Sequence, residues 1–98
     1  MTINKTKNDA ALTLAITGRL DTTTAPELEE VVRAELEGVQ QLSFDFAELE
    51  YISSAGLRVL LAAQKIMNKQ GEMKVLNVSA DVMEVFEITG FSDILVIE

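Results

Sequence analysis

Apolar and polar positions alternate along residues 11–17. Leu12, Leu14 and Ile16 fall on one side, and Thr13, Ala15 and Thr17 on the other. That period of two predicts a strand with one buried face. Residues 2–7 read as a weaker strand and Asn8-Asp9 as a turn, so a hairpin is expected at the start of the chain. The period then changes. Leu28, Val31, Val32 and Leu36 recur at helical spacing. Thr24 and Glu27 have the spacing of a capping box, Pro26 suits a first turn, and Gly38 suits a helix stop. Alternation returns at Leu42, Phe44 and Phe46, which predicts a third strand, followed by a short connection. Ser54 to Lys69 predicts the longest helix, with Leu57, Leu60, Leu61 and Met67 turned inward and Gly71 ending it. Met73 to Val78 predicts a fourth strand. Ser79 is expected to cap a helix running to about Ile88, with Gly90 behind it. Phe91 to Ile97 reads as a last apolar strand.

Strands alternating with helices predict an α/β domain with a mixed sheet of about four to five strands. The alternation in the second and third strands leaves one face less covered, so the helices are expected mainly on the other. No repeat or linker interrupts the chain, and residues 1–98 are expected to form one domain.

Charge narrows the function. Lys and Arg number 8 against 16 Asp and Glu, a net charge of -8. Such a chain repels a phosphate backbone and lacks the basic footprint of a nucleic-acid binder. Its field favours a basic patch on a partner. Cysteine and histidine are both absent. Disulfides, thiolate nucleophiles, Cys/His metal sites and histidine-based triads are therefore ruled out. No metal site or cofactor is expected. The polar start, "MTINKTKNDA", does not read as a signal peptide, and apolar runs such as "VLLAA" are too short to span a bilayer. The default expectation is a cytoplasmic protein without membrane contact.

The stretch "YISSAGLRVLL" holds the candidate chemistry. It places Ser53 and Ser54 at the junction of a strand region and a helix, where ligands of α/β sheets gather. One reading makes the serines helix caps. The other makes Ser54 a phosphate acceptor, because first-turn N–H groups and the helix dipole favour an anion there. Arg58 lies four residues on, within reach of such a phosphate. Arg58, Ala62, Lys65 and Lys69 continue as a basic stripe, either a solvated helix face or one edge of a docking surface. Asp21 is either a turn residue bonding local N–H groups or a partner contact. Asp21, Asp45, Glu48 and Glu50 could supply acid–base chemistry. With no His, Cys or nucleophile–base pair beside them, an enzyme is not expected.

Three segments together resemble the STAS family, named for sulphate transporters and anti-sigma-factor antagonists. They are "ITGRLDTTTAPELEE", "LSFDFAELEYISSAGLRVLL" and "EVFEITGFSDIL". The resemblance runs over nearly the whole chain, in order. The family pattern at the loop is roughly Asp-Ser-Ser/Thr-Gly-Leu. This chain reads Ser53-Ser54-Ala55-Gly56-Leu57, with serine in place of the aspartate and alanine in place of the second hydroxyl. The resemblance implies an anti-sigma-factor antagonist that works by partner switching. The unphosphorylated form would bind an anti-sigma factor that is also a serine kinase, freeing the sigma factor. Phosphorylation at Ser54 would end binding, and a serine phosphatase would restore it. The implied partner surface comprises Asp21, Thr22, Ser53, Ser54, Ala55, Gly56, Leu57, Arg58 and Lys65, with Ser53 a competing acceptor. The free protein is expected to be a monomer. The other reading within the family is an unphosphorylated scaffold or a transporter-associated regulatory subunit.

Overall fold

The hairpin predicted from the first alternation is present. The computed structural model describes residues 1–98. In it β1 (Thr2–Asn8) pairs antiparallel with β2 (Ala11–Leu20), and Asp9 turns the corner in a left-handed conformation at φ 55°. Helix α1 (Ala25–Glu35) follows, then β3 (Gln41–Asp45), β4 (Leu49–Ile52), α2 (Ser54–Met67), β5 (Glu72–Leu76) and α3 (Ala80–Thr89). The sheet runs β1-β2-β3-β5, and β4 pairs with the far end of β2. All pairings beyond the hairpin are parallel. This is the mixed α/β architecture that the alternation of periods predicts.

One sheet face is apolar. Leu12, Leu14 and Ile16 of β2, Leu42 and Phe44 of β3, and Met73 and Val75 of β5 are all buried. They form a single cluster with Leu28 and Val32 of α1, Leu57, Leu60 and Ala63 of α2, and Val82 and Phe86 of α3. The helices therefore cover that face. The opposite face presents Thr13, Ala15, Ser43 and Asp45, all half-buried.

Several boundaries differ from the sequence reading, each for a local reason. β2 continues past Thr17 to Leu20 through Gly18, whose φ of 98° suits glycine. The expected connection after Phe46 contains β4. Its register to β2 slips between Gly18 and Arg19, so Arg19 lies opposite Tyr51 and Glu50 is the extra residue. That bulge leaves Glu50 and Tyr51 both exposed and hides the period of two. The expected capping box does not form. Thr24 has a helical backbone, and its hydroxyl donates to the Arg19 carbonyl and accepts from the Asp21 N–H. Ser79 does cap α3, accepting from the Val82 N–H at 3.2 Å. Gly90, at φ 82°, ends it. The last expected strand is mostly replaced by a helical turn at Phe91–Asp93, held by bonds such as Ile94 N–H to the Phe91 carbonyl. Only one parallel bridge, Ile97 to Val75, remains of it. Helix α2 ends two residues early, and Leu61 is half-buried rather than core.

Candidate functional site

Because β4 runs parallel to β2, both strands release the chain at the same sheet edge. The Ser53 N–H donates to the Leu20 carbonyl at 2.9 Å. Asp21 and the two serines are thus fixed side by side, although Asp21 and Ser53 lie 32 positions apart in the sequence. The β2 turn leads into α1 and the β4 turn into α2, so both helices begin at this edge.

Asp21 organises its own turn. Its Oδ1 accepts from the N–H groups of Thr23 at 3.0 Å and Thr24 at 3.2 Å, and lies 3.3 Å from the Thr24 hydroxyl. Arg19 Nε stands 3.7 Å from Oδ2. The Thr24 N–H above all, helped by the Thr23 N–H, the Thr24 hydroxyl and Arg19, holds the Asp21 carboxyl below the usual carboxylate range. Partial desolvation opposes them. The Arg19 guanidinium also lies over the ring of Tyr51, 4.2 Å from its centroid.

The two serines differ. Ser53 holds the N-cap position of α2 in an extended conformation, φ −100° and ψ 176°, yet its hydroxyl caps nothing. That oxygen is buried with no hydrogen-bond partner. Ser54 is the first helical residue and is exposed. No side chain caps the first turn of α2, and no acidic residue stands in it. The capping reading of the pair is therefore not what the structure shows.

Gly56 explains how the loop sits so tightly. A Cβ there would lie 2.7 Å from Leu20 Cγ and 2.9 Å from Ile52 Cγ1. Leu57 is buried at 4% exposure. Gly56 and Leu57 hold the loop in place from beneath, while Ser54, Ala55 and Arg58 lie above. A cleft of about 330 Å³ opens between the two helix starts, lined by Thr22, Pro26, Glu29, Ala55, Arg58 and Val59 among others. Thr22 and Arg58 thus join the serine loop. Lys65 does not. It lies eleven residues beyond Ser54 on the same helix, about 16 Å along its axis at ~1.5 Å per residue.

Sequence reasoning did not single out Arg19 or the α1 wall, Pro26 and Glu29. Their signal is the near-helical spacing of residues 22, 26 and 29, which only pairs with 55, 58 and 59 once the helices are placed. Asp45 is spent on a turn, accepting from the Ala47 N–H and from Asn77 Nδ2, each at 3.0 Å. No three Asp or Glu side chains converge as metal ligands, and no helix is long and apolar enough to cross a membrane.

The STAS domain family matches residues 2–98. The chain is 38% identical over 96 residues to BtrV of Bordetella bronchiseptica, a protein named as a candidate anti-sigma factor antagonist, covering 96% of this chain and 83% of that protein. It is 31% identical over 97 residues to the anti-sigma-B factor antagonist of Staphylococcus aureus, covering 97% and 90%. Among solved structures it resembles the Bacillus cell fate determinant SpoIIAA in its phosphorylated form. The TM-score is 0.78 at 16% identity, over 99% of this chain and 91% of that one. At that identity the likeness is one of fold.

Proposed function

Since this chain belongs to the STAS domain family, we propose that it is an anti-sigma factor antagonist, a binding module rather than an enzyme, switched by phosphorylation of Ser54. The observation that carries the reading is the contrast between the serines: an exposed Ser54 opens an uncapped helix, while the Ser53 oxygen is buried. The names of its relatives support the antagonist role.

The unphosphorylated loop, with Asp21, Thr22, Ser54, Ala55 and Arg58 at its surface, docks on an anti-sigma factor and releases the sigma factor that it held. The anti-sigma factor acts as the kinase. The Ser54 hydroxyl oxygen attacks the γ-phosphorus of ATP, the bond from that phosphorus to the bridging oxygen breaks, and ADP leaves. The serine proton passes to a base or to solvent at the kinase site. The product carries about −1.5 to −2 charge where the hydroxyl stood. The free first-turn N–H groups and Arg58, one turn on, suit that charge, so the helix persists. Trapping the phosphate in a closed interface without a matching cation costs several kcal/mol. About 4 kcal/mol corresponds to roughly a thousandfold in affinity, enough for an on/off switch. A phosphatase resets it by hydrolysing the ester. The cycle runs in the cytoplasm, on a protein that is monomeric when free.

The test is isothermal calorimetry of the chain against its purified anti-sigma kinase, with peptide mapping after incubation with ATP. Wild type binds and gains one phosphate on Ser54. Ser54→Ala binds and gains none, and Ser54→Asp loses most affinity. Equal affinity of Ser54→Asp and wild type would sink the switch.

A further inference from the structure

The distribution of unpaired charge does not follow the net charge. Of the eight Lys and Arg residues, four stand in ion pairs: Lys5 with Glu35, Arg19 with Asp21, Arg33 with Glu29 and Lys74 with Glu98. Three of the other four are Arg58, Lys65 and Lys69, on α2 or just past its end. Between Glu50 and Glu72 the chain carries no acid at all. All three side chains are exposed. An acidic protein has therefore left its one uncompensated cationic stripe on a single helix.

That helix also forms one wall of a trough. The cleft beside Ser54 shares Glu29 and Val59 with a second hollow of about 230 Å³, which continues between α1 and α2 past Ala62, Lys65 and Ile66. The trough therefore runs from Ala55 to Ile66. That is about 16 Å, three helical turns at ~5.4 Å each. Val59, Ala62 and Ile66 give it an apolar floor. Four charged groups face it: Glu29, already paired with Arg33 at 3.0 Å, and the unpaired Arg58 and Lys65. The walls thus combine a partly exposed apolar strip with a cationic rim, the complement of an amphipathic helix with carboxylates on its polar side.

We infer that the α1–α2 trough receives an acidic amphipathic segment of the protein partner, about three turns long. Its apolar side chains lie on Val59, Ala62 and Ile66, and its carboxylates face Arg58 and Lys65. The occupant is thus acidic at this helix, although the overall field of the protein draws basic surfaces. The identity of the partner rests on the function proposed above, but the geometry of the trough does not. It also adds to the switch. A phosphate on Ser54 draws on Arg58 in the same chain and repels the incoming carboxylates, so one event removes an attraction and adds a repulsion.

Two synthetic peptides of three turns, one with Leu and Glu and one with Leu and Lys in the same positions, are titrated into the full isotope-labelled chain and followed by amide NMR shifts. The Glu peptide is expected to shift residues 55–66 and the facing part of α1. The Lys peptide should leave those residues unmoved. A chain carrying Arg58→Glu, Lys65→Glu and Lys69→Glu together, checked for native helix content, should bind the Glu peptide about tenfold more weakly at low salt, where charge contacts act most strongly. No shift along α2, equal shifts with both peptides, or unchanged affinity of the triple variant would each overturn the inference. Binding of the α2 cations to phosphatidylglycerol vesicles, with the Glu peptide not competing, would overturn it too. With the purified anti-sigma kinase, the triple variant should bind at least tenfold more weakly. If the triple variant binds as wild type while Ser54→Asp does not, the trough is wrong and the switch stands. If the triple variant loses binding while Ser54→Asp keeps it, the switch is wrong and the trough stands.

Discussion

Replacing Gly56 by alanine tests whether the serine loop is fixed by close packing. The added Cβ would lie 2.7 Å from Leu20 Cγ, 2.9 Å from Ile52 Cγ1 and 3.1 Å from Leu20 Cδ2. The two shortest contacts fall on a branch point and an inner carbon, and only the third, Leu20 Cδ2, is a side-chain end. Leu20 and Ile52 are themselves buried at 0% and 3% exposure, so neither can swing into solvent. Overpacking of this kind costs about 1–3 kcal/mol. Alanine returns up to about 1 kcal/mol through helix propensity. Contacts as short as 2.7 Å and 2.9 Å put the cost in the upper part of that range, about 2–3 kcal/mol, so the expected net loss is about 1–2 kcal/mol. For a domain of this size each kcal/mol corresponds to roughly 4–8 °C in Tm. Urea unfolding followed by circular dichroism should show a lower midpoint with an unchanged slope. Hydrogen exchange should localise the effect, because the Ser53 N–H bond to Leu20 spans the disturbed contact. An alanine variant as stable as wild type, with Ser53 equally protected, would show that the loop yields freely and that the packing argument fails.

Ser53→Ala should leave stability unchanged or raise it by up to about 1 kcal/mol, because it removes a buried oxygen that has no partner. A functioning cap would instead lose about 1 kcal/mol, so the sign of the change in urea unfolding separates the two. The Asp21 carboxyl has its folded pKa below its ordinary value of 3.8. Its contribution is therefore fully present above that value and is lost as pH falls through the lowered folded value. The stability difference between wild type and Asp21→Asn should shrink between about pH 5 and pH 2, by acid titration of the urea midpoint. A constant difference would refute the role of the carboxylate charge. Gln70 donates to the carbonyls of Leu36 and Val39, both at 2.6 Å. Gln70→Ala should cost about 1–3 kcal/mol by leaving the Val39 carbonyl unmet, while the Leu36 carbonyl still accepts from the Val39 N–H, and a thermal melt unchanged within error would rule that out.

Much of the frame was legible because it depends on local periods. The alternation of Leu12, Leu14 and Ile16, the helical run from Leu28 to Leu36 and the Ser79 cap are each encoded within a few neighbouring residues. β4 was not legible. Its buried ends, Leu49 and Ile52, enclose two exposed residues because a bulge against Gly18 and Arg19 absorbs one of them, and that pairing lies some thirty residues away. The final segment failed for the opposite reason. Its apolar content fits a strand, but Gly90 in the left-handed region leads straight into a hydrogen-bonded helical turn. At the site, Ser54 and Arg58 could be read from their position and spacing. The unused Ser53 oxygen could not, since a serine at an N-cap ordinarily bonds the first turn. Nor could the Thr24 hydroxyl, which turns back to Arg19 instead of forward to Glu27.

Tyr51 gives the loop an optical property of its own. It is the only tyrosine, and the chain has no tryptophan. It lies two residues before Ser53, 41% exposed, with the Arg19 guanidinium against its ring. All of the protein's intrinsic tyrosine emission therefore originates beside the serine loop. A partner without tyrosine or tryptophan at its contact surface that displaced Arg19 or covered the ring would change that emission directly. The protein carries, without any label, a single fluorophore at the edge where its two helices begin.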